Sequence, residues 1–208
     1  MTTGNPFMGD INQLLFLRKK VPTCDGPVLE IGSKDYGNTS SFRQFYSTCR
    51  YVGVDLEAGK GVDIVADLTG GIASLPENHF ALAICCSVLE HVHKPWLMAE
   101  NITRLLRPGG QLYVSVPWVW RYHPYPDDYF RFSFRGVRSL FEQFEWQTAY
   151  YSTTAEGDFY PIDESQPGID NTMAVMVKSQ GDRKRKYLPY LMVNMIGTKR
   201  AASARRAA

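Results

Sequence analysis

The sequence has no C-x-x-C pair, although it holds four cysteines, Cys24, Cys49, Cys85 and Cys86. Without that spacing the cysteines offer no zinc site, and no metal is assigned. Cys85 and Cys86 stand inside a strongly apolar run, which fits buried, reduced thiols and a cytoplasmic chain. No apolar run reaches the roughly 20 residues needed to cross a bilayer. The start lacks the basic-then-apolar pattern of a secretory leader. Internal repeats are missing too. What is present is 208 residues with 44% hydrophobic content, enough for one domain with a full core.

Acidic residues are missing from the end of the chain. From Arg183 onward there are eight Lys or Arg and no Asp or Glu, leaving 15 basic against 21 acidic residues before it. A globular nucleic-acid binder is more often basic over its body. The closing "RKRKYLPYLMVNMIGTKRAASARRAA" sets basic blocks around an apolar stretch of about ten residues. It reads as a basic tail over 181–208 carrying a short apolar helix, behind a single domain over 1–180. Such a tail leaves nucleic acid or an anionic membrane surface open as partners. Nothing in the pattern fixes the oligomeric state.

Within the body, strands alternate with helices. A helix is expected near Asp10 to Lys20, in an N-terminal extension over 1–26, anchored by Leu14, Leu15 and Leu17. Apolar strands are expected at Val28 to Gly32, 51–55, 62–67, 80–86 and 111–117, the fourth apolar throughout as if buried on both faces. Helices are expected at Ser40 to Ser47, capped by Thr39 or Ser40, at Pro95 to Leu106, stopped by Pro108-Gly109-Gly110, and at Phe134 to Phe144. "EWQTAYYS" and "TMAVMVKS" read as two closing strands in an antiparallel hairpin, with an acidic loop between them. The pattern predicts an α/β fold with a mostly parallel sheet covered by helices on both faces. Ligands of such sheets sit beyond the carboxyl ends of the strands.

The turn "VLEIGSKDYGNTSS", 28–41, sits at the first such end. A phosphate-gripping loop needs lysine directly after its second glycine; Asn38 stands there. A dinucleotide turn needs a middle glycine between Gly32 and Gly37, and none is present. Glu30 would also face the pyrophosphate. S-adenosylmethionine removes that conflict, because it carries an ammonium and a sulfonium and no phosphate. Glu30 can then recognise the ammonium, Asp55 the ribose hydroxyls, and Asp67 the adenine amino group, each acid following its own strand.

Together with "YVGVDLE", "IVADL", "VLEHV", "LLRPGGQLYVSVP" and "HPYPDDYFRFS", the turn resembles the class I S-adenosylmethionine-dependent methyltransferases, most nearly their small type 11 group, over about residues 25 to 180. The resemblance implies a Rossmann-like seven-stranded sheet with an antiparallel last strand, and S-adenosyl-L-methionine as cofactor. It places Glu30 and Gly32, with Ser33 and Gly37 in the same turn, at the methionine end. Asp55 and Leu56 fall on the ribose, Asp67 and Leu68 on the adenine, and Cys86 and Ser87 beside the sulfonium. Lys34 and Tyr36 replace the small residues usual in the family's glycine turn.

The acceptor side follows the fourth and fifth strands. His91, His123 and Asp128 are candidate catalytic bases, since a base is required only where the acceptor must shed a proton. The loop "WRYHPYPDDYFRFS" offers His123, Asp127, Asp128 and Arg131 as polar contacts, with Arg121 beside them and Trp118, Trp120, Tyr122 and Tyr129 as walls. The alternative for Asp128 and Arg131 is that they pair to brace the loop. The resulting expectation is O- or N-methylation of a small molecule or glycan. Two alternatives stand beside it: a methyltransferase-like module without catalysis, and a nucleic-acid methyltransferase gripping through the tail. No asparagine-proline-proline-tyrosine motif follows the fourth strand, which argues against base-amine methylation of that kind.

Overall fold

The computed structural model describes residues 8–37, 41–72, 74–124, 126–162 and 190–201. Three α-helices, α1 (Met8–Lys20), α2 (Pro95–Leu105) and α3 (Phe134–Leu140), flank one sheet. Its strands are β1 (Val28–Ile31), β2 (Tyr51–Asp55), β3 (Ile64–Val65), β4 (Phe80–Cys86), β5 (Leu106–Val119), β6 (Phe144–Ser152), β7 (Phe159–Pro161) and β8 (Leu191–Lys199). They lie in the order β3-β2-β1-β4-β5-β8-β6-β7. β1 to β5 pair in parallel, and β8 runs antiparallel to both β5 and β6. The order steps outward from β1 in one direction and from β4 in the other. That reversal opens a crevice at the carboxyl ends of β1 and β4.

The period-two pattern of the strands divides the core. On β4, Ala83 and Cys85 face one side while Leu82 and Ile84 face the other, and all four are buried, as a strand covered on both faces requires. The first side packs against α2 through Met98, Ala99, Ile102 and Leu105. The second packs against α1 and a single 3-10 turn, Arg43–Tyr46. The buried anchors of α1 are Phe16 and Leu17, with Leu14 and Leu15 only half-buried. Phe16 stacks on Tyr113 at 5.6 Å between ring centres.

Several elements differ from the sequence reading. The helix expected over 40–47 shrinks to that 3-10 turn; its two core anchors, Phe42 and Tyr46, are four apart on too short a run to propagate a helix. The third strand keeps only Ile64–Val65; just before it, Asp63 N donates to the Gly53 carbonyl at 2.8 Å, and the Asp63 carboxylate accepts from Gly53 N at 2.7 Å and from Arg43 at 2.5 Å. α3 stops at Leu140, four residues early. Pro108-Gly109-Gly110 lies inside β5, not after α2, where Gly109 takes φ +76° beside a shift of register on β4.

The largest difference concerns the closing segment. The apolar stretch expected as a tail helix is β8, a buried strand at the middle of the sheet between β5 and β6. Its polar residues do not mark a surface. Asn194 accepts from Tyr113 Oη and Ser115 Oγ, both at 2.9 Å, and donates to Ser152 Oγ at 2.8 Å. Lys199 Nζ donates to Asn78 Oδ1 at 2.9 Å and to the Leu106 carbonyl at 2.7 Å. Every buried polar group in the run is thus satisfied by a neighbouring strand or loop. "TMAVMVKS", read as the last strand, lies outside the described residues. The antiparallel closing strand is present, but 191–199 supplies it. Among the described residues, no helix is long and apolar enough to cross a membrane.

Candidate active site

A cleft of about 1440 Å³ opens at the carboxyl ends of β1, β2 and β4. Its floor begins with the turn after β1. Gly32 takes φ +74°, and a Cβ there would stand 2.4 Å from Val88 Cγ2, so conformation and space both require glycine. Gly32 N and Ser33 N donate to the Val54 carbonyl at 2.9 and 3.2 Å, and Ser33 Oγ is buried with no hydrogen-bond partner. Lys34 and Tyr36, the unusual residues of the turn, also line the cleft: Lys34 Nζ binds Glu57 at 2.6 Å and lies 5.0 Å over the Tyr36 ring. Gly37, at φ +91°, closes an Asp35 turn away from the cleft lining.

Glu30 lines the cleft and is held by Tyr51, whose hydroxyl donates to Glu30 Oε2 at 2.7 Å. Burial pushes the Glu30 carboxyl up to about 7, while the Tyr51 hydrogen bond and the nearby Arg43 pull the other way. Asp55 ends β2 in the same cleft; its Oδ2 accepts from Lys34 N at 3.0 Å. Leu56 and Leu68 also line it, and the Leu68 carbonyl is fixed by Asn101 Nδ2 at 2.8 Å. Asp67 is not drawn in. It is exposed, and its carboxylate caps the next turn through Thr69 N at 2.8 Å and Thr69 Oγ1 at 2.9 Å. At the end of β4, Cys86 and Ser87 line the cleft, with Ser87 held at φ +54°. Gln13 of α1 donates to Ser87 Oγ at 2.9 Å.

Past Ser87 the cleft meets the loop after β5. His91 and His123 both line it, with ring centres 4.9 Å apart. His91 Nδ1 lies 2.6 Å from the Asp127 carbonyl, and burial depresses its proton affinity. Neutral His91 therefore donates from Nδ1 and keeps a lone pair on Nε2. Asp128 does not serve as a base. Its side chain is 1% exposed, forms a two-point pair with Arg131, and accepts from His123 N at 2.8 Å. That pair holds its carboxyl down to about 2, so bracing is the role the structure supports. Arg131 also donates to the carbonyls of Trp120, Arg121 and Phe130.

The remaining substrate candidates lie off the cleft lining. Trp118 packs against the core. Arg121 rests over the Trp120 ring, Tyr122 is 69% exposed, and Tyr129 donates to the Asp127 carboxylate at 3.0 Å. Of the expected walls Trp120 does line the cleft, joined there by Tyr190 and Met192. The Trp120 and Tyr190 rings meet edge to face at 4.6 Å. Tyr190 and Met192 belong to the segment read as a tail, so no local signal connected them to the site.

The family model described as "Methyltransferase domain" matches residues 8–155. No curated relative matches the chain significantly. Among solved structures, a SAM-dependent methyltransferase from Archaeoglobus fulgidus is similar at 14% identity and a TM-score of 0.58, over 90% of this chain and 93% of that one. The 1,6-didemethyltoxoflavin-N1-methyltransferase of Burkholderia thailandensis, solved with its substrate and S-adenosylhomocysteine, is similar at 15% identity and 0.59, over 96% and 80%. The [4+2]-cyclase SpnF is similar at 13% and 0.59, over 92% and 81%, so the architecture by itself does not dictate the reaction. With its matched family model covering most of the sequence, this chain belongs to the methyltransferase domain family and has the fold of its class I, S-adenosylmethionine-dependent members.

Proposed function

We propose that this protein methylates a small-molecule or glycan acceptor at oxygen or nitrogen, using S-adenosyl-L-methionine. The observation that carries the reading is one continuous cleft that has Glu30 and Asp55 at one end and His91 and His123 at the other. Its volume exceeds the roughly 300–1,000 Å³ of a pocket for a single small ligand, leaving room for cofactor and acceptor together. The residues present fit the cofactor. Glu30 and the unpartnered Ser33 Oγ stand where the amino acid end would lie. Asp55 would offer a carboxylate to the ribose hydroxyls, and the backbone by Leu68 would hold the adenine. When bound, the cofactor supplies an electrophilic methyl group on its sulfonium.

The protein's share is to position the acceptor in line with that methyl and to exclude water. Trp120, Tyr190 and Met192 give the acceptor half apolar walls, while His91 provides a lone pair for the departing proton of a hydroxyl or amine. The basic-tail route to a membrane or nucleic acid loses its apolar helix, since 191–199 is built into the sheet.

Calorimetry with S-adenosylmethionine and S-adenosylhomocysteine tests the cofactor, and a labelled-methyl screen of metabolite and sugar pools tests the acceptor. Binding to wild type with loss in Asp55→Ala supports the reading. Absence of binding to wild type, or undiminished binding to Asp55→Ala, overturns it.

A further inference from the structure

The acceptor half contains a group of side chains that methyl transfer alone does not explain. Glu90 is 1% exposed, and its Oε2 has no hydrogen-bond partner. A buried carboxyl with an empty oxygen is costly unless something pairs with it. Glu90 Oε1 lies 3.9 Å from His91 Nε2. One ligand atom from each of Glu90, His91 and His123 lies within 4.8 Å of the other two, and all three residues line the cleft.

Both imidazoles are set up from behind. His91 Nδ1 faces the Asp127 carbonyl at 2.6 Å. His123 Nδ1 faces the Arg121 carbonyl at 3.1 Å and Asp128 Oδ2 at 3.2 Å, against a longer 3.5 Å approach from Arg131. Two acceptors at the shorter distances make His123 Nδ1 a donor. Each ring thus gives its Nδ1 proton to an oxygen and presents Nε2 as an acceptor. That is the outer-shell arrangement that orients histidines toward a metal.

We propose that Glu90, His91 and His123 bind a divalent transition-metal ion at the acceptor end of the cleft. Two imidazoles and one carboxylate suit zinc, iron(II), cobalt or nickel better than calcium or magnesium, which prefer oxygen ligands. Ligand atoms around a tetrahedral ion stand roughly 3–3.5 Å apart, so the three draw inward by about 1 Å as the ion enters. The remaining coordination positions face the cleft. The site deepens the function proposed above and rests on it only for what the ion does there. An acceptor hydroxyl bound to the ion would lose its proton more readily, passing it to solvent water in the cleft, because the His91 lone pair would then be held by the ion.

The test uses full-length protein stripped with a chelator and titrated with cobalt(II) alone, followed by visible absorption, and with zinc(II), followed by calorimetry. Saturable one-to-one binding with a cobalt ligand-field band is expected. Glu90→Gln and His123→Gln should each weaken it at least tenfold, with His93→Gln, whose side chain lies outside the cluster, binding as wild type. No band and no heat at millimolar metal, or Glu90→Gln and His123→Gln binding as tightly as wild type, overturns the proposal. Should Glu90→Gln fail to fold, the part-exposed His123 carries the comparison. Because metal is titrated without cofactor, this result is independent of whether S-adenosylmethionine binds.

Discussion

Tyr51 donates its hydroxyl to Glu30 across 2.7 Å from the neighbouring strand, and Arg43 lies 4.7 Å over the same tyrosine ring. The Glu30 carboxyl in the cleft is therefore set by a residue that is not part of the cleft lining. With Glu30 raised to about 7 by burial, its charged form is lost as pH falls through 7. Wild-type affinity for S-adenosylmethionine should weaken below that pH and level off above it. Tyr51→Phe removes the interaction that favours the carboxylate, so its affinity should fall several-fold near pH 7 and recover at higher pH. Calorimetry between about pH 6 and about pH 9 checks both curves. A Tyr51→Phe loss that is the same at every pH would show that the tyrosine acts through packing instead.

Asp55 should matter most for binding. Its Oδ2 already accepts from Lys34 N, so Asp55→Ala also loosens the turn. Losing charge-assisted hydrogen bonds to two ribose hydroxyls should lower cofactor affinity on the order of 100-fold. Asp67→Ala, by contrast, removes a turn cap at an exposed position and should change affinity little. Calorimetry on the two variants ranks them.

Asp128 predicts a stability effect with a defined pH sense. Its carboxyl is held at about 2, below its ordinary value near 3.8, first by the hydrogen bonds from Arg131. A depressed carboxylate contributes stability that is complete above about pH 4 and lost as pH falls through 2. Asp128→Asn should cost about 2 kcal/mol at neutral pH, the Arg131 side chain being partly open to solvent. The wild-type and variant urea curves should converge as pH approaches 2.

The position of β8 makes a separate prediction. Val193 is fully buried in the sheet. Val193→Asp should prevent folding, visible as lost thermal transition and aggregation. Met195→Ala, which leaves a cavity, should cost about 2–5 kcal/mol in urea unfolding. A solvated tail would tolerate both changes.

Much of the cofactor half was legible because strand ends announce themselves. Glu30 and Asp55 each close an apolar run, and each lands in the cleft. Asp67 follows the same rule and misses, since a hydroxyl two residues on, Thr69, satisfies it locally. Tyr51, Arg43 and Asn101 escaped because what they do depends on register between strands, or on a helix crossing a loop, and not on spacing along the chain. The acceptor half was less legible. The ring-rich loop does reach the cleft through Trp120 and His123, but which rings turn inward depends on the Asp128–Arg131 brace and on Tyr190. Glu90, too, is a polar residue at a strand end, but it is its burial that sets it apart from the other acids there. The hydrophobic pattern of Leu191–Lys199 is that of a strand, yet the basic blocks around it made it read as a tail. The partners that neutralise Asn194 lie 42 to 81 residues away in sequence, beyond the reach of any local pattern.

The central place of β8 also bears on how the protein is made. β5 and β6 are joined only through a strand that is synthesised dozens of residues after both. Until residue 199 has left the ribosome, the nascent chain carries two half-sheets with unpaired inner edges, each a template for the wrong neighbour. Helices α1 and α2 can form early, but the acceptor wall at Tyr190 and Met192 cannot. Native assembly therefore waits for β8, and a holding chaperone should be needed most while the residues between β6 and β8 are being made.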